Sequence, residues 1–169
     1  WSVLCGQFDA PCYDCRVQPM YGDAQAAPLQ YWPRVTANVK ALMRAGRCPL
    51  QLVVDFAHEH GKEAFASVRM NDVHDSFMDP NALTVWKQTH PEFLVDTRGM
   101  LPEFELYTTA QDFSHEEVRQ RKLEIFQDIC DRYDVDGFEL DYIRHPVLFS
   151  RRMRGEPCTR EEIEIVDSL

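Results

Sequence analysis

The hydrophobic pattern of the chain predicts three short β-strands. Residues 2–8 and 63–70 are apolar runs of strand length, which is typical of buried strands. In residues 137–141, apolar and acidic side chains alternate with the period of a strand. The acidic residues Glu139 and Asp141 therefore share one face of this last strand, opposite its apolar residues.

Apolar residues at helical spacing predict three longer helices. Residues 32–45 carry such a stripe, and the segment 49–61 opens with a proline at a favoured first helical position and closes with a glycine. Ser114 and Glu117 have the spacing of a capping box, which predicts that the third helix begins there. The inner stripe of that helix consists of Val118, Ile125, Phe126, Ile129 and Tyr133.

The order of the predicted elements is strand, helices, strand, long loop, helix, strand. The long loop covers residues 71–112 and includes a short helix at 82–89. Strands separated by helices pair in parallel through right-handed crossovers, which predicts an α/β fold. In such sheets the working residues lie at the carboxyl ends of the strands.

Polar side chains collect where the predicted strands end. Arg69 and Asn71 share one face of the second strand and its continuation, and Glu139 and Asp141 share one face of the third. If the apolar faces pack on the helices, all four polar side chains point to the same side. Two carboxylates, an arginine and an asparagine are therefore predicted to converge at one edge of the sheet.

Such a group suits the hydrolysis of a glycosidic bond. One carboxylic acid protonates the leaving oxygen, while another carboxylate attacks the anomeric carbon or activates a water molecule. Residues two apart on a strand have Cα atoms roughly 6.5–7 Å apart, which leaves retention and inversion both open. One member of the acid pair could also be Asp72, or could lie outside the chain.

Three segments of the chain carry a resemblance to a known family. They are PLQLVVDFAHEHGKEAFASVRMNDVHD (49–75), THPEFLV (89–95) and YDVDGFELDYIRHP (133–146). In this order they resemble a helix–strand segment, the loop that follows it and the fourth-strand segment of the glycosyl-hydrolase-like family ten. They lie between residues 49 and 146 and together contain 48 of the 169 residues.

The resemblance implies a (β/α)8 TIM barrel that acts on a carbohydrate. A full barrel takes about 250 residues, so the 169 residues of this chain would hold three to four β/α units. We therefore expect a partial TIM barrel, with residues 1–169 forming a single domain that corresponds to the N-terminal half of a catalytic domain. The alternative is a half barrel that covers its open edges by self-association. The resemblance also implies a secreted protein, either extracellular or periplasmic.

The resemblance and the strand ends together define the expected site. Asp141 is the leading catalytic carboxylate, followed by Glu139 and Asp72. The side chains expected to bind substrate are Arg69, Asn71, His74, Arg144, His145 and Trp86. A structural alternative is that Glu139 and Asp141 form a buried salt-bridge layer with Arg69 or Arg144.

Composition narrows the class of partner. The chain has 18 basic and 28 acidic residues, a net charge of −10. This balance argues against a nucleic acid, because phosphate binding needs clustered Lys and Arg, and it fits a neutral or cationic substrate. No apolar run reaches the roughly 18 residues of a membrane span. No cofactor is expected.

Two groups of residues in the sequence offer potential metal ligands. Cys12 and Cys15 have the spacing of half a zinc site, but no second pair follows, so the six cysteines are expected to be unpaired thiols. Asp72, His74 and His145 could instead serve a metal-dependent hydrolase. A further alternative is a catalytically silent carbohydrate-binding barrel, whose acids only hydrogen-bond sugar hydroxyls. The main expectation is a glycoside hydrolase without a metal.

Overall fold

The computed structural model describes residues 1–7, 9–25 and 33–168. Phe8 and Trp32, which belong to the predicted strand 2–8 and the predicted helix 32–45, lie outside these residues. The strands of the described residues are β1 (Ser2–Leu4), β2 (Gly6–Gln7), β3 (Ala10–Pro11), β4 (Phe65–Arg69) and β5 (Gly137–Asp141).

The main sheet has three parallel strands in the order β1–β4–β5. Ser2 pairs with Phe65, and Phe65 pairs with Gly137 on the other side, so β4 is the central strand. The parallel pairing predicted from the order of strands and helices is therefore present. The short strands β2 and β3 form a separate antiparallel pair immediately after β1.

The expectation of a partial TIM barrel is wrong. The described residues form a three-stranded parallel sheet and a two-stranded antiparallel pair, which is a small mixed α/β arrangement. A (β/α)8 barrel closes eight parallel strands on one another over about 250 residues. A chain of 169 residues with so few and such short strands is too small and too sparse for that architecture.

Helices connect and flank the strands. The α-helices in the described ranges are α1 (Pro33–Arg44), α2 (Pro49–Glu59), α3 (His74–Phe77), α4 (Val85–Thr89), α5 (Glu116–Arg132), α6 (Ser150–Met153) and α7 (Arg160–Asp167). Short 3-10 helices cover Pro80–Ala82, Pro91–Phe93 and Pro102–Tyr107. Among these elements, no helix has both the length and the apolar character needed to cross a membrane.

The ends of the first two helices follow the sequence signals, but the start of α5 does not. Pro49 occupies the first turn of α2, and Gly46 follows α1 with a φ of 70°, in the left-handed region that suits glycine. The predicted capping box at Ser114 is wrong, because α5 begins at Glu116 without a side-chain cap. Asp112 instead accepts the backbone N–H of Ser114 at 2.9 Å, so the turn before the helix is held by a different residue.

The main core lies between one face of the sheet and two helices. Ala66 and Val68 of β4 are buried in the same apolar cluster as side chains of α2 and α5. The members of this cluster from the two helices are Leu50, Val54, Ala57, Ile125 and Ile129. Each large aliphatic side chain buried in this way contributes about 1.5–3 kcal/mol. This packing fixes which face of β4 turns away from the helices, and Arg69 lies on that other face.

All six cysteines are unpaired thiols, as the sequence predicts. Cys5 lies in the main core, where burial raises its pKa to about 12. Such a thiol stays protonated at neutral pH and behaves as a small apolar side chain.

Candidate functional site

The register of the parallel sheet brings the predicted polar residues together. Ser67 pairs with Glu139, and Arg69 pairs with Asp141. Because side chains alternate along a strand, these four residues share the face that does not pack on α2 and α5. Arg69 and Asp141 are the last residues of their strands, so the pair lies at the carboxyl edge of the sheet.

The guanidinium of Arg69 lies between two carboxylates. Its Nη1 donates to Oδ2 of Asp72 at 2.9 Å, and its Nε lies 3.8 Å from Oδ2 of Asp141. The Nε atom is buried and makes no hydrogen bond to any residue within 1–7, 9–25 and 33–168. Arg69 therefore holds one buried N–H donor close to the Asp141 carboxylate.

Asp141 combines fixed orientation with access to solvent. Its Oδ1 accepts the backbone N–H groups of Ile143 at 3.1 Å and Arg144 at 3.2 Å, which turns the chain sharply after β5. The side chain keeps 23% of its surface exposed. A carboxylate in this position can contact a substrate without any rearrangement of the backbone.

Glu139 lies two residues before Asp141 on the same face, but in a more open environment. The side chain is exposed, and it accepts a hydrogen bond from the hydroxyl of Ser2. The sequence prediction that the two acids share a face is therefore confirmed, whereas the alternative of a buried salt-bridge layer does not describe Glu139.

Asp72 is the most enclosed of the three candidate catalytic acids, with 1% of its surface exposed. Its Oδ1 accepts the ring Nδ1–H of His74 at 2.6 Å and the backbone N–H of the same residue at 3.1 Å. Burial alone would raise the pKa of Asp72, but the bonds from His74 and Arg69 outweigh it and hold the pKa well below its usual range. Asp72 therefore stays ionised and is suited to positioning Arg69 rather than to donating a proton.

Two of the predicted site residues, His74 and His145, lie next to each other. The rings of His74 and His145 pack edge to face, with centroids 4.6 Å apart. Nδ1 of His145 donates to the backbone carbonyl of Asn71 at 3.1 Å, while Nε2 of His74 accepts from the guanidinium of Arg144 at 3.1 Å. Burial lowers the pKa of His145 to about 4, against the opposing charge of Asp72, so its imidazole is neutral at neutral pH.

Asn71 has its side chain committed to the backbone of neighbouring loops. Its Nδ2 donates to the carbonyls of Gln111 at 2.8 Å and Val147 at 2.7 Å, and its Oδ1 accepts the N–H of Gln111 at 2.9 Å. These bonds use most of the donor and acceptor capacity of the amide. The structure thus places Asn71 as a connector between the loops that carry the site.

Trp86 does not join the other predicted site residues. Its indole packs against the guanidinium of Arg121, 4.6 Å from the ring centroid, and against Phe93 at 5.8 Å. Grooves lined by Trp86 and Arg121 contain none of the residues at the strand ends. A direct contact between Trp86 and a substrate held at Asp141 therefore has no support from this arrangement.

Sequence reasoning missed a buried ion pair beside the site. Nζ of Lys122 lies 2.9 Å from Oδ1 of Asp9, and both side chains are almost fully enclosed. They line a pocket that Arg69 and Asp72 also line. Burial alone would raise the pKa of Asp9, but Lys122 lowers it. The signal in the sequence was a lysine within the apolar stripe of α5.

A second buried ion pair supports the loop after β4. Nζ of Lys87 donates to the backbone carbonyl of Asp72 at 2.6 Å and lies 3.0 Å from Oδ2 of Asp75. Both side chains are fully enclosed. Lys87 of α4 therefore holds the loop that carries Asp72 and His74 in place. No periodicity in the sequence indicates this interaction.

One part of the site has the composition of a metal centre. Asp72, His74 and His145 each offer a potential ligand atom, and these three atoms lie within 4.8 Å of one another. All three residues are buried. The site as a whole therefore consists of a carboxylate–arginine–carboxylate row at the sheet edge, with a histidine pair next to it.

Comparison of the chain with protein-family models and with curated proteins finds no match. The resemblance of the three sequence segments to the glycosyl-hydrolase-like family ten accordingly stays a prediction. The functional interpretation rests on the chemistry of the residues at the carboxyl ends of β4 and β5.

Proposed function

We propose that this protein is a glycoside hydrolase that uses Asp141 and Glu139 at the carboxyl edge of its sheet. The observation that carries the proposal is the pair formed by Nε of Arg69 and Oδ2 of Asp141. It offers one buried N–H donor and one carboxylate acceptor, 3.8 Å apart.

This pair is matched to a sugar hydroxyl. A hydroxyl group both accepts and donates a hydrogen bond, so one oxygen can accept from Arg69 and donate to Asp141 once a side-chain rotation exposes the buried Nε atom. Hydrogen-bond lengths of about 2.7–2.9 Å to each atom are compatible with their present separation. A row of hydroxyls on a pyranose or furanose ring is the substrate chemistry that such alternating donors and acceptors recognise.

The two acids supply the reaction chemistry. One of the pair Glu139 and Asp141 protonates the glycosidic oxygen, and the other attacks the anomeric carbon or activates water. Their Cα atoms lie roughly 6.5–7 Å apart because they are two residues apart on one strand. Asp72 acts as a positioning residue, because it holds Arg69 through the bond at Nη1.

The net charge of the chain favours uncharged or cationic sugars over acidic ones. A charge of −10 repels polyanionic glycans at long range. Neutral hexosides and amino sugars are therefore the first substrates to test.

The test compares wild-type protein with Asp141→Asn on a panel of neutral and amino-sugar aryl glycosides. Removing a catalytic carboxylate should lower turnover by at least about 100-fold, while the affinity for the same glycoside, measured by calorimetry, changes little. Asp55→Asn, a substitution of an exposed acid on α2, is the matched control and should leave both quantities unchanged.

Two outcomes would overturn the proposal. Equal turnover in Asp141→Asn and wild-type protein would remove Asp141 from the chemistry. Binding of glycosides by wild-type protein without any hydrolysis across the panel would assign the site to a carbohydrate-binding protein instead.

A further inference from the structure

We propose that His74, His145 and Asp72 form a binding site for a transition-metal ion of the zinc class, between the loop after β4 and the loop after β5. The proposal is independent of the proposed hydrolysis, because general acid–base cleavage by two carboxylates requires no metal.

The three residues lie close together in a buried part of the protein. One potential ligand atom from each residue lies within 4.8 Å of the other two. Asp72 exposes 1% of its surface, His74 exposes 2% and His145 exposes 5%. In a tetrahedral site with bonds of about 2.0–2.1 Å the ligand atoms lie roughly 3.3 Å apart, a spacing that rotations of these side chains can reach.

The two imidazole rings are oriented for ligation. Nδ1 of His145 donates to the carbonyl of Asn71 at 3.1 Å, which leaves its Nε2 for an ion, as in histidines that ligate metals. Nδ1 of His74 and Oδ1 of Asp72 lie 2.6 Å apart and share a proton, which an ion bound to both atoms would replace.

The ligand set selects the class of metal. Two imidazoles and one carboxylate suit Zn²⁺, Co²⁺ or Ni²⁺, whereas Mg²⁺ and Ca²⁺ prefer sites made of oxygen atoms. Three protein ligands leave room for a water molecule as the fourth. The ion would bridge the two loops that begin where β4 and β5 end.

Arg144 gives the proposal an unusual consequence. Its guanidinium donates to Nε2 of His74 at 3.1 Å, so it opposes the shift of the ring proton to Nε2 that binding of an ion at Nδ1 requires, and its charge repels the ion. The Arg144 side chain is exposed and can turn into solvent. Removing it should therefore strengthen metal binding, an effect that a merely structural histidine pair would not produce.

The experiment measures binding of Zn²⁺ and Co²⁺ to the 169-residue chain by calorimetry, with Mg²⁺ as the comparison ion. We expect one zinc-class ion per chain and no measurable binding of Mg²⁺. His74→Ala and His145→Ala should each weaken Zn²⁺ binding by at least about 100-fold, and Asp72→Asn by about 10- to 100-fold. Arg144→Met should tighten binding by about tenfold or more.

Two controls separate this site from the rest of the protein. His90→Ala removes a histidine that packs on Trp86, away from the proposed ligands, and should bind Zn²⁺ as the wild-type protein does. The six free thiols are the main competing ligands. Cysteine-alkylated protein should therefore keep the site, and Co²⁺ should give no thiolate-to-cobalt charge-transfer band.

The result that overturns the proposal is a wild-type protein that binds no Zn²⁺, or that loses binding on cysteine alkylation. Unchanged affinity in both histidine variants has the same meaning. If a histidine variant fails to fold by circular dichroism, the decision falls to Arg144→Met, where unchanged or weaker binding contradicts the proposal. Asp141→Asn should keep metal binding, so failure of the metal site and failure of the proposed hydrolysis are distinguishable.

Discussion

Arg69 stands opposite Asp141 in the parallel register of β4 and β5, and the same guanidinium is bonded to the buried carboxylate of Asp72. One side chain thus connects an enclosed acid, which cannot reach substrate, to a partly exposed acid, which can. The arrangement makes Arg69 the residue whose replacement should affect stability and turnover together.

Arg69→Lys should lower both the free energy of unfolding and the turnover of glycosides. Lysine keeps the charge but lacks the planar guanidinium with its several N–H donors, so it cannot contact the carboxylates of Asp72 and Asp141 at the same time. We expect a loss of about 1.5–3 kcal/mol in urea unfolding, the value of a hydrogen bond to a charged group. Arg98→Lys, at an exposed ion pair with Asp96, is the control and should leave both quantities unchanged. Wild-type turnover in Arg69→Lys would contradict this role.

Glu139→Gln should lower turnover without affecting stability. The side chain is exposed, so its replacement by the isosteric amide disturbs no core packing. As one of the two acids it should contribute about 10²- to 10⁴-fold to the rate. The measurements are glycoside hydrolysis and the thermal midpoint, with Glu105→Gln as a control at another exposed acid. A midpoint that falls in step with the activity would instead indicate a structural role.

Lys122→Met should destabilise the protein strongly. The substitution leaves the carboxylate of Asp9 buried without its ion-pair partner, which costs about 3–5 kcal/mol. Adding Asp9→Asn should recover part of this loss, because burying a neutral amide costs less free energy than burying an unpaired charge. Urea unfolding of the two single variants and the double variant measures the effect. Lys62→Met, at an exposed lysine, should match the wild-type protein.

His58 should titrate above its ordinary value. Its Nε2 lies 2.9 Å from Oδ2 of Asp136, and this bond raises the pKa of His58 above 6.5. Because the folded value exceeds the unfolded one, the contribution to stability is complete below the unfolded pKa and is lost as the pH rises through the folded pKa. An NMR titration of the ring protons measures the shift. Asp136→Asn should return the pKa towards 6.5, whereas Asp134→Asn should have the smaller effect, because its carboxylate lies 3.7 Å away.

The sheet edge of the site was predictable because it depends on two local rules. Strand periodicity places Glu139 and Asp141 on one face, and parallel pairing brings the ends of consecutive strands together. These rules correctly place Arg69 next to Asp141. His74 and His145 also come together, since each follows directly after one of these strand ends.

The number of strands, the path of the long loop and the start of α5 depend on contacts between residues that are not described by local sequence patterns. The number of strands in a sheet is a property of the whole assembly, so the resemblance of three segments could not establish a barrel. The path of the loop 71–112 decides that Trp86 packs on Arg121 rather than near Asp141, and no periodicity encodes such a path. The capping box at Ser114 failed because Asp112 competes for the same backbone group.

The parallel pairing also determines how this protein must fold. β1, β4 and β5 join residues that are roughly 60 to 70 positions apart in the chain, and no hairpin connects them. Closing such long loops precedes any gain from strand pairing, so slow and cooperative folding is expected. Arg69 and Asp141 come together only when the chain between β4 and β5 closes, so the arrangement at the sheet edge exists only in the folded chain.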